Sequence, residues 1–252
     1  MLKSGLVSIT FRNKTVYEIA ALCQKANLSC VEWGGDVHVP PKGGKAKEAL
    51  SITKDHGLFV SSYGSYFKLG EGKDQFLYNL EEAAELTAPV IRIWAGKKGS
   101  GRVEADERKR LTDELMLVSE LSHNAGVRTA LEYHPNTLTD DRKSVKQLLC
   151  ETAGESYSPH FYWQPRWDWT KDETLSAIGD IQTRLSHAHV FCWTHAENEI
   201  KRNALSEGES LLTEALDIKK DGCALIEFVK GDLDESLLSD AETLNRWILR
   251  RG

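Results

Sequence analysis

Eight times along this 252-residue chain a short β-branched or apolar run gives way to a longer charged segment. The runs are Gly5–Thr10, Ser29–Trp33, Leu58–Ser62, Pro89–Trp94, Val127–Leu131, His160–Gln164, Leu185–Phe191 and Ala224–Phe228. Between them, helix signals cover about Thr15–Ala26, Lys45–His56, Phe76–Leu86, Glu104–Ala125, Arg142–Ala153 and a segment from Thr170. Two further helices lie at about Ser210–Lys219 and at the C-terminus, ending near Arg250. Apolar residues recur at helical spacing in these segments, while the runs have the length of strands. Strict alternation of strand and helix implies a parallel sheet. Eight units in a chain of this length favour closure, so the expected fold is α/β, a single (β/α)8 TIM barrel with parallel strands, in one domain over residues 1–252. No G-x-G-x-x-G follows the first run, which weighs against a dinucleotide fold.

Local signals agree. Thr15 with Glu18, and Thr170 with Glu173, have the spacing of capping boxes. Gly57 and Gly126 stand where helices should stop. Thr139 or Asp140 is the expected N-cap of the fifth helix. The segment 63–70 reads as a long loop, and a polar loop is expected between the seventh run and its helix.

Net charge is −6, from 32 basic and 38 acidic residues of mixed order, which argues against a general nucleic-acid surface. The five cysteines (Cys23, Cys30, Cys150, Cys192, Cys223) make no C-x-x-C pair and read as reduced thiols. There is no signal-peptide core at Met1–Leu6 and no apolar run of membrane-spanning length. A soluble cytoplasmic protein with no membrane or nucleic-acid partner is expected.

In such a barrel the functional groups gather at the C-terminal ends of the strands. Those ends carry Phe11 and Arg12; Glu32, Trp33, Asp36 and His38; Tyr63 and Tyr66; Arg92 and Trp94; Glu132 and His134; Trp163, Gln164 and Arg166; His187, His189 and Trp193; Glu227 and Lys230. Aromatic faces suit the C–H surface of a polyol, and charged groups suit its hydroxyls. From this set Arg12, Trp33, His38, Tyr63, Arg92, Trp94, His134, Trp163, Arg166, His187 and Trp193 are the candidate substrate contacts. Arg12, Arg92, Arg166 and Lys230 are the candidates for a substrate phosphate or carboxylate. Glu132 and Glu227, at the ends of the fifth and eighth runs, can serve as metal ligands, as an acid–base pair, or as both. His189 ends the seventh run and is expected to point inward with His187, and Gln164 offers only a neutral amide oxygen.

The stretches Val31–His38 (VEWGGDVH), Leu131–Pro135 (LEYHP), His187–Val190 (HAHV) and Ile226–Phe228 (IEF) together resemble the xylose isomerase-like TIM-barrel superfamily, often called the sugar phosphate isomerase/epimerase group. The resemblance covers essentially the whole chain. It implies a divalent metal (Mn, Mg, Co or Zn) held by Glu132, Gln164, His189 and Glu227. An Asp is expected at the second of these places, so Gln164 leaves the site one negative charge short.

The expected function is a sugar, sugar phosphate or keto-polyol isomerase or epimerase working through an enediolate, with Glu132 and Glu227 as its acid–base pair. Competing expectations are a sugar-binding barrel without catalysis, motivated by Gln164, and a metal-assisted dehydratase on a keto-inositol-like compound. An apurinic endonuclease relative is disfavoured by the acidic balance. A homo-oligomer is expected only by analogy with such families.

Overall fold

The computed structural model describes residues 1–196 and 199–251. Eight parallel strands close into a barrel: β1 (Lys3–Val7), β2 (Cys30–Gly34), β3 (Phe59–Lys68), β4 (Val90–Trp94), β5 (Arg128–Glu132), β6 (His160–Trp163), β7 (Leu185–Val190) and β10 (Cys223–Ile226). Strand β10 pairs with both β7 and β1, which closes the ring. Helices α1 (Val16–Lys25), α2 (Ala46–Asp55), α3 (Lys73–Glu85), α4 (Ala105–Asn124), α5 (Arg142–Glu151), α6 (Lys171–Asp180), α7 (Glu209–Ile218) and α8 (Asp234–Leu249) follow the strands in turn. This is the (β/α)8 arrangement that the alternation predicts. Among the described residues no helix is long and apolar enough to cross a membrane.

Both capping boxes form: Thr15 accepts from the Glu18 amide and Thr170 from the Glu173 amide, with each glutamate reaching back. Gly57 and Gly126 end their helices with φ of +71° and +74°, a conformation open to glycine at no steric cost.

Four expectations needed correction. The first strand stops at Val7, and Ser8–Phe11 turn as a 3-10 segment toward the barrel mouth. The third strand does not end at Ser62; it runs on to Lys68, with a register irregularity between Gly64 and Lys68 and a left-handed Tyr66 (φ 58°). A bulge of this kind is read from a sequence as a loop because it breaks the two-residue alternation. The cap of α5 is Asp141, whose carboxylate accepts from the Lys143 and Ser144 amides, one or two places beyond Thr139 and Asp140. The expected polar loop after β7 contains an antiparallel hairpin, β8 (Cys192–Ala196) with β9 (Glu199–Asn203).

The barrel interior is tight. A Cβ on Gly5 would come within 2.5 Å of Cys30 Sγ, 2.7 Å of the Cys30 carbonyl and 2.7 Å of Leu225. Gly5→Ala is therefore expected to destabilise the barrel by about 1–3 kcal/mol, lowering Tm by roughly 2–10 °C. A Tm within 1 °C of wild type in thermal denaturation would show that the wall yields.

Candidate active site

Side chains alternate across each strand, so every second residue enters the barrel. On β2 that residue is Glu32, on β4 Arg92, on β5 Glu132, on β6 Tyr162 and on β7 His189; Glu227 follows directly after β10. Arg92, Glu132 and Glu227 line a cavity of about 400 Å³ at the C-terminal ends of the strands, and Glu32, Tyr162 and His189 are fully buried against them. The cavity walls are aromatic in large part: Tyr66, Trp94, Trp167, Phe191, Trp193 and Phe228. Arg12, His134, Gln164, Arg166 and Asp168 add polar groups, and Ile200 of β9 reaches in from the hairpin.

Burial dominates the electrostatics of the floor. Glu32 is fully buried, and Arg92, Glu132 and Glu227 are nearly so. Arg92 holds two carboxylates at once: Nε donates to Glu32 Oε1 at 2.8 Å, and Nη1 donates to Glu132 Oε2. Trp94 Nε1 donates to the same Glu132 oxygen at 2.6 Å, and Ser62 Oγ donates to Glu32 Oε2 at 2.7 Å. Burial raises the pKa of each carboxyl, but Arg92, then His189, more than offset it; Glu32 is held well below the usual range and Glu132 at about 2.

His189 lies among three carboxylates. Its Nδ1 is 3.4 Å from Glu132 Oε1 and 3.3 Å from Glu227 Oε2, and its Nε2 is 3.5 Å from Glu32 Oε1. Burial alone would lower its pKa, but Glu227 and Glu32 raise it well above the ordinary value. Neither ring nitrogen makes a hydrogen bond. A fully buried imidazole left unpaired at both nitrogens is costly unless a cation completes it.

Glu132, His189 and Glu227 form a group that could hold a divalent metal, with one donor atom from each within 4.8 Å of the others. Donors about 2.1 Å from an ion stand about 3.0–3.5 Å apart, which matches the Nδ1–oxygen separations. Glu32, on the far side of the ring, has the place of the carboxylate that orients a metal-binding histidine. Gln164 donates Nε2 to the Tyr133 carbonyl, which leaves its Oε1 as a neutral acceptor toward the cavity it lines. The donor set thus fits a metal with two carboxylates and one imidazole.

Titrating metal-stripped protein with Mn²⁺ should give one site per chain at neutral pH. His189→Ala should weaken it by about tenfold or more, and affinity should fall with pH as protons compete for the imidazole. Gln164→Asp, which adds a charge, should tighten it. Unchanged affinity in His189→Ala would place the ion elsewhere.

Of the expected substrate contacts, Arg12, Arg92, Trp94, His134, Arg166 and Trp193 line the cavity. His134 stacks on Trp94 with ring centroids 4.2 Å apart. Trp33, Tyr63 and Trp163 do not reach it. They stand one residue out of phase with Glu32, Ser62 and Tyr162, so they leave the barrel and pack under the helices. Trp33 donates to Thr53 Oγ1 of α2 at 3.0 Å, Trp163 to the Thr174 carbonyl of α6 at 3.2 Å, and Tyr63 to the Val39 carbonyl at 2.9 Å. His38 is buried between Ser8 Oγ (3.0 Å) and the Lys14 carbonyl (3.1 Å). His187 enters the barrel two residues below His189 and bonds the Ser61 carbonyl at 3.1 Å. Lys230 is exposed on a 3-10 turn and lies outside the lining.

Sequence reasoning put Glu32 and Tyr66 at strand ends without giving them a role, and it passed over Trp167, Asp168, Ile200 and Phe228. Inward phase on β2 would have assigned Glu32 to the floor. The hairpin, which brings Trp193 and Ile200 over the mouth, carries no comparable signal.

No protein-family profile matches the chain. A 3-dehydroshikimate dehydratase of Bacillus anthracis is 26% identical over 200 residues, covering 75% of this chain and 71% of that protein. Among solved structures, the probable 3-DHS dehydratase AsbF of Bacillus anthracis, involved in petrobactin synthesis, is similar at a TM-score of 0.79 and 19% identity, over 97% of this chain and 99% of that one. A xylose isomerase domain protein of Planctomyces limnophilus gives 0.75 at 13% identity, over 99% and 97%. The D-psicose 3-epimerase of Clostridium cellulolyticum H10, solved with D-tagatose, gives 0.71 at 15% identity, over 99% of both. With eight parallel strands closed around a Glu–His–Glu floor, the chain has the fold of the xylose isomerase-like TIM barrels.

Proposed function

We propose that this barrel is an enzyme that removes the proton next to the carbonyl of a polyhydroxylated keto compound, with Glu227 as the base and dehydration as the outcome. The observation that carries this reading is the inequality of the two catalytic candidates. Glu132 accepts from both Arg92 and Trp94 through one oxygen, which holds it ionised and in place. Glu227 meets no Arg or Lys among the described residues; its charged contact is His189. Glu132 is thus a poor proton donor and a good positioning group, while no guanidinium holds Glu227. One base is enough for β-elimination.

A divalent ion at Glu132, His189 and Glu227 would draw density from the substrate carbonyl and stabilise the enolate charge. Glu227 would take the α-proton. The enolate would collapse to a C=C bond as the β-C–O bond breaks, and the leaving hydroxyl would depart as water with the proton from Glu227. The aromatic walls would hold the ring or chain by its C–H faces and exclude bulk water. The likeness to a dehydratase in sequence and in structure supports this outcome.

Epimerisation or isomerisation of a ketose is the second reading. It is favoured by the two carboxylates converging on His189 and by the likeness to a ketose epimerase, and it would require Glu132 to deliver a proton against the pull of Arg92. Incubation of Mn²⁺-loaded enzyme with ketoses and keto-inositols in D₂O separates the two. Loss of one water by mass spectrometry marks dehydration, and deuterium in unchanged or epimeric ketose marks the second reading. A panel that neither exchanges nor loses water would sink the proposal.

A further inference from the structure

We infer that the substrate carries no phosphate or carboxylate: the cavity is built for an uncharged polyhydroxylated keto compound. The inference rests on the proposed chemistry and names its substrate class. Three guanidinium groups line the cavity, and each is already held by protein acceptors. Arg92 is bound by Glu32 and Glu132, as described. Arg12 donates Nη1 to Asp36 and Nη2 to Tyr66 Oη at 3.1 Å. Arg166 uses all three nitrogens: Nε on Asp168 Oδ1 at 2.8 Å, Nη2 on Asp168 Oδ2, and Nη1 on the Asp140 carbonyl at 2.9 Å. Its flat face covers the Trp169 ring at 4.8 Å.

A carboxylate or phosphate is recognised by two parallel N–H donors from one arginine fork. At Arg166 that fork is filled by Asp168, a residue two places along the same loop. An anionic ligand would have to displace an acidic side chain and leave it beside the ligand's own charge. Among the residues that line the cavity, three arginines stand with three carboxylates, those of Glu132, Asp168 and Glu227, and each arginine is paired to an acidic side chain. Lys68, the nearby lysine, lies over the Trp94 ring at 4.5 Å and is not part of the lining. What the cavity offers a ligand is aromatic surface and carboxylate acceptors, the pairing that suits C–H faces and hydroxyl donors.

The test is calorimetric titration of the Mn²⁺-loaded protein with matched pairs: D-fructose and D-fructose 6-phosphate, D-psicose and its 6-phosphate, and a keto-inositol against 3-dehydroshikimate. The uncharged member of each pair should bind at least tenfold more tightly. Asp168→Asn should free the Arg166 fork and raise affinity for the anionic members by tenfold or more. Equal or tighter binding of the anionic members to the wild-type protein overturns the inference, as does failure of every uncharged member to bind. Neutral ligands that bind without exchanging a C–H proton in D₂O would sink the proposed reaction and leave the inference about charge standing.

Discussion

Glu227→Gln is expected to lower turnover by about 10²- to 10⁴-fold while the barrel stays folded. The amide has nearly the same shape as the carboxylate, and the backbone around it is held independently: the Glu227 amide donates to the Val190 carbonyl at 3.2 Å, and the Phe228 amide donates to Thr10 Oγ1 at 3.1 Å. Stability should therefore change by no more than about 1 kcal/mol. An amide cannot take a proton from carbon, and it leaves His189 with one carboxylate fewer. Glu132→Gln should also slow turnover, through loss of the charge that pairs with Arg92, and should destabilise the fold as well. Steady-state kinetics and thermal denaturation of both variants separate the two roles. If Glu227→Gln keeps more than about a tenth of the activity, the base has been assigned to the wrong residue.

Arg92→Met is expected to destabilise the protein by about 3–5 kcal/mol, the range for removing one partner of a buried ion pair. Glu32 is entirely enclosed and Glu132 nearly so, and both depend on this guanidinium. The loss arises less from the missing attraction than from two carboxylates left in a dry interior. A second substitution, Glu32→Gln, should recover part of it, because an amide needs no counter-charge. Urea denaturation of the two variants measures this directly; a loss below 1 kcal/mol in Arg92→Met would mean that water or rearrangement replaces the guanidinium.

The same network sets a pH dependence. Glu32 and Glu132 have folded pKa values below the ordinary 4.5, so the unfolded chain binds protons before the native one does. Their contribution is present above pH 4.5 and is lost as pH falls toward about 2. Arg92→Met removes the largest of the causes that lower these carboxyls and leaves His189 to oppose burial, so the loss of stability with acid over that window should be smaller than in the wild-type protein.

The fold was legible because its signals are local. Eight alternations of run and helix, two capping boxes and glycines at helix ends depend on near neighbours in the chain, and each formed, with the first and third strands ending elsewhere than expected. Of the floor, Glu132, His189 and Glu227 could be read as inward residues at strand ends, and the structure brings them together. Trp33, Tyr63 and Trp163 show where that reading fails. Standing at a strand end does not place a side chain in the mouth, because a shift of one residue sends it to the opposite face of the sheet.

By itself, then, the sequence determined the eight-unit barrel from periodicity, and its family resemblance implied a metal set of Glu132, Gln164, His189 and Glu227, of which the structure brings Glu132, His189 and Glu227 into one group that could hold an ion. Only the tertiary structure decided the rest. It assigned Arg92 to Glu32 and Glu132 instead of to a ligand, closed the Arg166 fork on Asp168, and folded the segment after β7 into a hairpin carrying Trp193 and Ile200 over the cavity. The physical reason is one of range. Strand and helix signals act over a few residues, whereas the partner of Arg92 lies 60 positions away on β2 and 40 away on β5, and such pairings exist only once the barrel has closed.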